Sequence, residues 1–195
     1  MLKFGLGLLL FFGAHFYSAF RSRDPETELP TLLGRNAYRG GYSLVAAIGL
    51  AGIIFGFGET RMEPLLYTTP SWARKGAFLL MLPALTLIAA AYLPSGHLRN
   101  RLRHPMLIGV GLFALAHLMT GANGPKLMLF GLFLAFSVID FAAAEKRSLI
   151  ANSALTKRAP ALSMDFAALV LGALAYTLVL LSLHQHIIGI DLLSG

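Results

Sequence analysis

Six runs of apolar residues dominate the chain, at about 2–20, 40–58, 76–93, 105–121, 127–144 and 164–184, and most charged residues fall between them. Each run is close to the roughly 17–25 residues a helix needs to cross a bilayer, the fourth being the shortest. The runs are continuously apolar and rich in Leu, Ala and Gly. They lack the two-residue alternation of a membrane barrel. A bilayer offers the backbone no hydrogen-bond partner, so the spanning elements should be helices. The pattern predicts an all-α fold, a polytopic membrane helical bundle of about six transmembrane helices, read as one integral membrane domain over residues 1–195.

The first run has signal-peptide features, with Lys3 ahead of an apolar centre. His15 interrupts that centre, however, and Arg21 and Arg23 follow it in place of a small-residue cleavage site. It is therefore read as the first span. In the second, "GYSLVAAIGLAGIIFGFG", Gly49, Gly52 and Gly56 gather near one face and include a GxxxG pair. Such a face lets two backbones approach closely in lipid. Pro83 should bend the third span and free a carbonyl. "TGANGPK" at 120–126 predicts a tight turn, making the fourth and fifth spans a helical hairpin. No internal repeat is evident.

Composition sharpens this picture. Hydrophobic residues make up 56% of the chain and charged residues 13%, against about 25% charged in a soluble domain. Six spans leave no room for a separate soluble domain. The net charge of +7 does not point to nucleic acid, because the cations sit in short loops beside spans, where lipid phosphates are the obvious partners. Residues 21–39, 94–104 and 145–163 carry eleven Lys and Arg, and the alternate segments carry five. The richer set should face the cytoplasm. Both termini would then be periplasmic in a bacterial inner membrane. Cysteine is absent, which removes disulfides, thiolate ligands and cysteine nucleophiles together.

Ionisable residues inside a span are costly unless they face the bundle and find a partner. His15 sits about five residues from the cytoplasmic end of its span. It reads either as a neutral histidine donating a hydrogen bond to a neighbouring helix or as a metal or haem ligand. His104 stands at the mouth of the fourth span, before a proline suited to a first helical turn, and is placed at a similar depth. Two such histidines could hold a flat macrocycle, with Arg99, Arg101 and Arg103 meeting its carboxylates. The competing reading anchors those arginines to lipid phosphate. His117 closes the fourth span on the far side, roughly 20 Å from His104 along a straight helix, so one mononuclear site cannot contain both. His184 and His186 end the last span, and His97 is read as a solvated loop residue. Asp140 is the expected partner of Arg103 or of the second nitrogen of His104. Glu59 and Glu63 border Arg61 in a surface network. No dinucleotide, zinc-hydrolase, P-loop or nucleophile-elbow motif is present.

"GAHFYSAFR", "GRNAYRGGYSLVAAIGLAG", "AAAYLPSGHLRNRLRHPMLIGVGLFALAHLMTGA" and "LMLFGLFLAFSVID" together resemble the NnrU family of bacterial inner-membrane proteins, over most of residues 1–147. The resemblance implies an association with nitrite and nitric oxide reduction, and so a respiratory-enzyme partner. The family is in turn similar to the 15-cis-zeta-carotene isomerases, membrane proteins that use histidine-ligated haem b to isomerise a carotenoid double bond. By motif, His15, His104 and His117 match histidines of those enzymes. This implies haem b as cofactor, His15 and His104 as metal ligands, and an apolar or isoprenoid substrate. Without cysteine, ligand exchange assisted by a thiolate cannot operate here. "RHPMLIG" also resembles the "RHPxYxG" segment of membrane methyltransferases, which contributes to S-adenosylmethionine binding. Here Leu107 replaces the tyrosine, and only Glu145 of "AAAEKR" stands where a paired acidic motif is found. Methyl transfer is the alternative activity. A non-catalytic assembly factor and a transporter are the alternatives outside catalysis.

Overall fold

Helices form where the apolar runs stand, with the polar gaps turning the chain. The computed structural model describes every residue except 23, 25, 27, 61, 62, 152–158, 191 and 193–195, and the side chains of the described residues other than 148–151. Arg23, Arg61, Lys157 and Arg158, which entered the charge balance, lie outside the described residues. The chain divides into two compact units, Met1–Glu63 and Pro64–Gly195.

The first unit holds α1 (Leu2–Phe20), the short α2 (Leu29–Leu32) and α3 (Arg35–Gly58). The glycines singled out in the second apolar run form the seam between α1 and α3. A Cβ at Gly49 would lie 2.5 Å from the Phe11 nitrogen, and one at Gly56 would lie 2.4 Å from that of Phe4. Gly52 faces Gly7, whose own missing Cβ would lie 2.5 Å from the Ile53 nitrogen. Glycine on both sides lets the two backbones touch in an antiparallel pair. In lipid, where apolar side chains gain little by leaving their surroundings, such close contact is what holds helices together.

The second unit holds α4 (Ser71–Tyr92), α5 (His97–Leu102), α6 (Pro105–Leu118), α7 (Gly124–Ala151) and α8 (Leu162–Leu178), which continues through a π-helical turn (Val179–Leu183) into α9 (His184–Ile188). Contacts fix the directions. Gly109 of α6 lies against the Ala84 carbonyl and Ile88 of α4, while Gly76 of α4 lies against Met119 just beyond α6. Gly111 of α6 meets Ser137 of α7, and His117 meets Phe130. Gly172 of α8 meets Thr86 of α4, and Gly96 just after α4 meets Asp165 of α8. Each neighbouring pair is therefore antiparallel, and α4 packs against both α6 and α8. Pro83 sits inside α4. Three residues later the Thr86 hydroxyl donates back to the Leu82 carbonyl (2.9 Å), leaving that face small enough for Gly172.

Five helices are long and apolar enough to cross a membrane: Leu2–Phe20, Arg35–Gly58, Ser71–Tyr92, Gly124–Arg147 and Leu162–Ile188. The chain is an all-α, multi-pass membrane bundle. The fourth apolar run, expected over 105–121, is shorter than its companions: α6 ends at Leu118. Its 14 residues rise only about 21 Å. Even so, it runs from the Leu93 end of α4 back to the Tyr67 end. There the Tyr67 hydroxyl donates to the Leu118 carbonyl (2.6 Å), and Tyr67 and Ala122 form an isolated antiparallel bridge. Burial pushes the Tyr67 phenol above its ordinary value, so it stays a donor. The turn at 120–126 forms as the sequence implies, with Gly121 at φ +77 and the Asn123 side chain accepting from the Lys126 amide (3.0 Å).

Candidate cofactor site

The segment "SGHLRNRLRHP" does not form the plain loop expected of it. Its first half is α5, and a carboxylate from another helix caps it. Asp165 accepts from the amides of His97 (2.9 Å) and Leu98 (3.0 Å), and pairs with the His97 ring at 3.0 Å. His97 thus starts a helix rather than lying in a loop, and its ring has a partner while staying exposed, as expected of a solvated residue. Gly96 is required beside it, because a Cβ there would lie 2.4 Å from Asp165. Arg99 turns back to donate to the Leu93 carbonyl beyond the end of α4.

Arg103 then takes φ +57 and ψ −48, and the His104 amide donates to the Leu102 carbonyl (2.6 Å) across it. This is a γ-turn of the rare, strained hand. Such a backbone costs about 1–3 kcal/mol and persists only where its surroundings hold it. The turn ends α5 and delivers Pro105 to the first position of α6, where its missing N–H costs nothing. Glu145 of α7 holds the result. One of its oxygens accepts from Arg103 Nη1 at 2.8 Å, and the other lies 3.2 Å from His104 Nε2. That nitrogen is buried, and its direction makes no aligned hydrogen bond, so the contact with Glu145 is electrostatic. Phe141 packs edge-on against the His104 ring.

His15 and His117 share a different local geometry. "FFGAH" and "FALAH" each place a phenylalanine four residues before the histidine. His15 Nδ1 lies 2.7 Å from the Phe11 carbonyl, and His117 Nδ1 lies 2.8 Å from that of Phe113. A carbonyl only accepts, so Nδ1 carries a proton, and in a neutral ring Nε2 would carry the lone pair. The ring of His15 stacks on Phe11 at 4.2 Å and stands 5.6 Å from that of Tyr42. The ring of His117 stacks on Phe130 at 4.1 Å. His186 makes the same bond to the Ser182 carbonyl at 2.9 Å, so the bond by itself does not mark a ligand. His15 differs in lying on a span among aromatic rings rather than on an exposed helix end.

The predicted residues therefore fall into three places. Arg99, Arg101, Arg103 and His104 share the α5 end of the second unit, His117 lies at the opposite end of α6, and His15 belongs to the first unit. Arg99 and Arg103 are engaged by Leu93 and Glu145, while Arg101 is exposed. Asp140 does not partner Arg103 or His104: it pairs with Arg147 of its own helix at 3.1 Å. Glu145 takes that role. The helical period carries a partial signal for it: Phe130, Phe133, Ser137, Phe141 and Glu145 recur every three or four residues along one stripe of α7, although Asp140, three residues beyond Ser137, lies at the edge of the same stripe. Asp165 left no comparable signal, because its partners are backbone amides of another segment. His184 and His186 end the last apolar helix as expected, and Glu59 pairs with Lys3 at 2.7 Å; Arg61 lies outside the described residues.

No group of three or more metal-ligating side chains occurs among the described residues. A haem needs only one or two axial nitrogens, which His15 in the first unit or His104 in the second could each supply singly. A cavity of about 760 Å³ opens at the Arg74 end of the second unit, lined in part by Leu65, Phe78, Tyr176 and Leu180. None of the candidate histidines lines it.

Residues 3–192, nearly the whole chain, match the family model described as NnrU protein. No curated protein and no solved structure matches the chain.

Proposed function

We propose that this chain, which belongs to the NnrU family, binds haem b within the membrane, with His15 supplying an axial nitrogen. The place of His15 on a span, its ring beside Phe11 and Tyr42 and its Nδ1 held by the Phe11 carbonyl, carries this reading. Metal-ligating histidines commonly donate their second nitrogen to a carbonyl, which fixes the tautomer and aims the other nitrogen. Haem, when bound, supplies an iron centre that can act on a double bond or on a small diatomic molecule. The chain's own part is to hold and orient. Phe11 and Tyr42 limit the tilt of the His15 ring. His104, in the second unit, is the second candidate ligand, and a Glu145 oxygen stands 3.2 Å from its Nε2. The activity that follows is redox-gated isomerisation of an apolar polyene, or support of nitrite and nitric oxide respiration, in a bacterial inner membrane with both termini periplasmic.

The test is spectroscopic. The protein is purified in mild detergent from haem-replete cells, and oxidised, reduced and pyridine haemochromogen spectra are recorded. A Soret band with about one haem b per chain is expected, lost in H15A and weakened in H104A at equal folded yield. A colourless, well-folded parent overturns the cofactor. Full haem in H15A overturns the ligand.

One observation favours a second reading. Glu145 closes on the "RHP" segment from the next helix, so methyl transfer from S-adenosylmethionine would have one acidic group beside that segment, where its motif has a pair. Saturable binding of S-adenosylmethionine by a haem-free protein, abolished in E145Q, would select it. Loss of a respiratory enzyme's maturation without any turnover by the purified protein would select an assembly role.

A further inference from the structure

We propose that the first unit carries a binding site for a phosphate-bearing anion, formed by Arg21 just beyond α1 and by Arg35, Tyr38 and Arg39 at the start of α3. These residues line a pocket of about 300 Å³ together with Glu28 and Pro30. Arg35, Tyr38 and Arg39 are three and four residues apart, so they share one helical face. Gly34, at φ +82, reverses the chain between α2 and α3 and lets that face turn toward Arg21. The Arg21 guanidinium lies 5.3 Å from the Tyr38 ring centre, which brings the two elements together.

Charge and hydrogen bonding both point to an anion. Three guanidinium groups meet one carboxylate. Glu28 is already matched by Arg21 at 2.7 Å, with both side chains largely buried. Arg35 and Arg39 make no described hydrogen bond or ion pair, and the first turn of α3 holds no acidic residue. The Tyr38 hydroxyl and Arg21 Nε are buried with no hydrogen-bond partner among the described residues. Native proteins rarely leave such groups empty-handed. An oxygen-rich anion would accept from both at once, and guanidinium groups match phosphate geometry in pairs. The exposed amides at the head of the 24-residue α3 add a favourable field. Asp24 and Glu26 are exposed and do not line the pocket.

A phosphate could reach these residues as a lipid headgroup, since they stand where two apolar helices end, or as the free ion. Calorimetry on the full-length protein, stripped of lipid in mild detergent, separates the two. The probes are dihexanoyl-phosphatidylglycerol, inorganic phosphate and dihexanoylglycerol, which lacks the phosphate. Saturable binding of about one phosphate-bearing probe is expected, weakened about tenfold or more in R35Q/R39Q and about fivefold in Y38F. K146Q, which removes an exposed cation elsewhere, should bind as the parent does. Y38F keeps every charge and the ring, so its loss of affinity cannot be ascribed to unfolding. Tighter binding of phosphatidylglycerol than of phosphate supports the site and assigns it to a headgroup; the reverse order supports it and assigns it to the free ion. Equal binding of dihexanoylglycerol and phosphatidylglycerol, unchanged affinity in R35Q/R39Q, or no saturable binding of either phosphate probe overturns it.

Discussion

The two units solve the same problem, joining helices in lipid, by different means. In the first, glycines stand in register along one seam, and a Cβ at Gly49 or Gly56 would strike backbone of α1. Its ion pairs Lys3–Glu59 and Arg21–Glu28 lie at the two ends. In the second, close contacts are spread over several helix pairs, at Gly109 and at Gly172. There α5 is tied by carboxylates from two other helices, Glu145 and Asp165. The first unit relies on backbone shape within the span. Both place polar ties at the span ends, where water and headgroups make charge cheap, and the second also uses one to hold the strained turn at Arg103.

The sharpest break in this contrast is G56V. The obstructing atoms are backbone, so no side-chain rotation relieves them, and a loss of about 1–3 kcal/mol or more is expected from overpacking. Denaturant titration in detergent micelles would measure it. G13A, with nothing within 4 Å of its new Cβ, should be neutral or stabilising. G172A should cost a similar amount in the second unit, since its Cβ would lie 2.6 Å from both Cα and Oγ1 of Thr86. T86A should rescue it only in part, because one of those two atoms is backbone. Full rescue would mean that the α4–α8 contact is set by the hydroxyl alone.

Smaller effects separate the polar ties. E145Q should destabilise by about 1–2 kcal/mol, since it weakens the hold on a strained turn. R103G should come out near neutral. It loses a pair whose arginine is 60% exposed, worth about 0–1 kcal/mol, and it relieves a positive φ. A stable R103G with reduced cofactor binding would show that this arginine is kept for function. The smallest effect belongs to E59Q. Lys3 holds the Glu59 carboxyl below the usual carboxylate range, so the pair's contribution is present above the unfolded pKa and fades as pH falls through the lower folded value. Both residues are exposed, so a salt titration should erase the difference between E59Q and the parent.

Much of the fold was legible in the chain. Apolar length foretold the long helices, the glycines of the second run foretold a close seam, and "TGANGPK" foretold a turn. The site was less legible. Asp140 and Glu145 differ by five residues and by which face of α7 they occupy, and composition does not distinguish them. Arg99 and Arg103 read as a pair of headgroup or carboxylate ligands, yet a carbonyl and a glutamate already engage them.

Hydropathy and helical period are properties of a segment by itself, because the bilayer imposes the same demand on every backbone that crosses it. The sequence alone therefore determined the helical class, the spans and the polar clusters at their ends. Which groups meet depends on helix direction, rotation and depth, and these are settled between segments far apart in the chain. Only the tertiary structure decided that Gly49 and Gly56 press on α1, that Asp165 caps α5, and that Glu145 rather than Asp140 reaches Arg103 and His104. A carboxylate on a helix has many partners within its chemistry and only those within about 4 Å in fact.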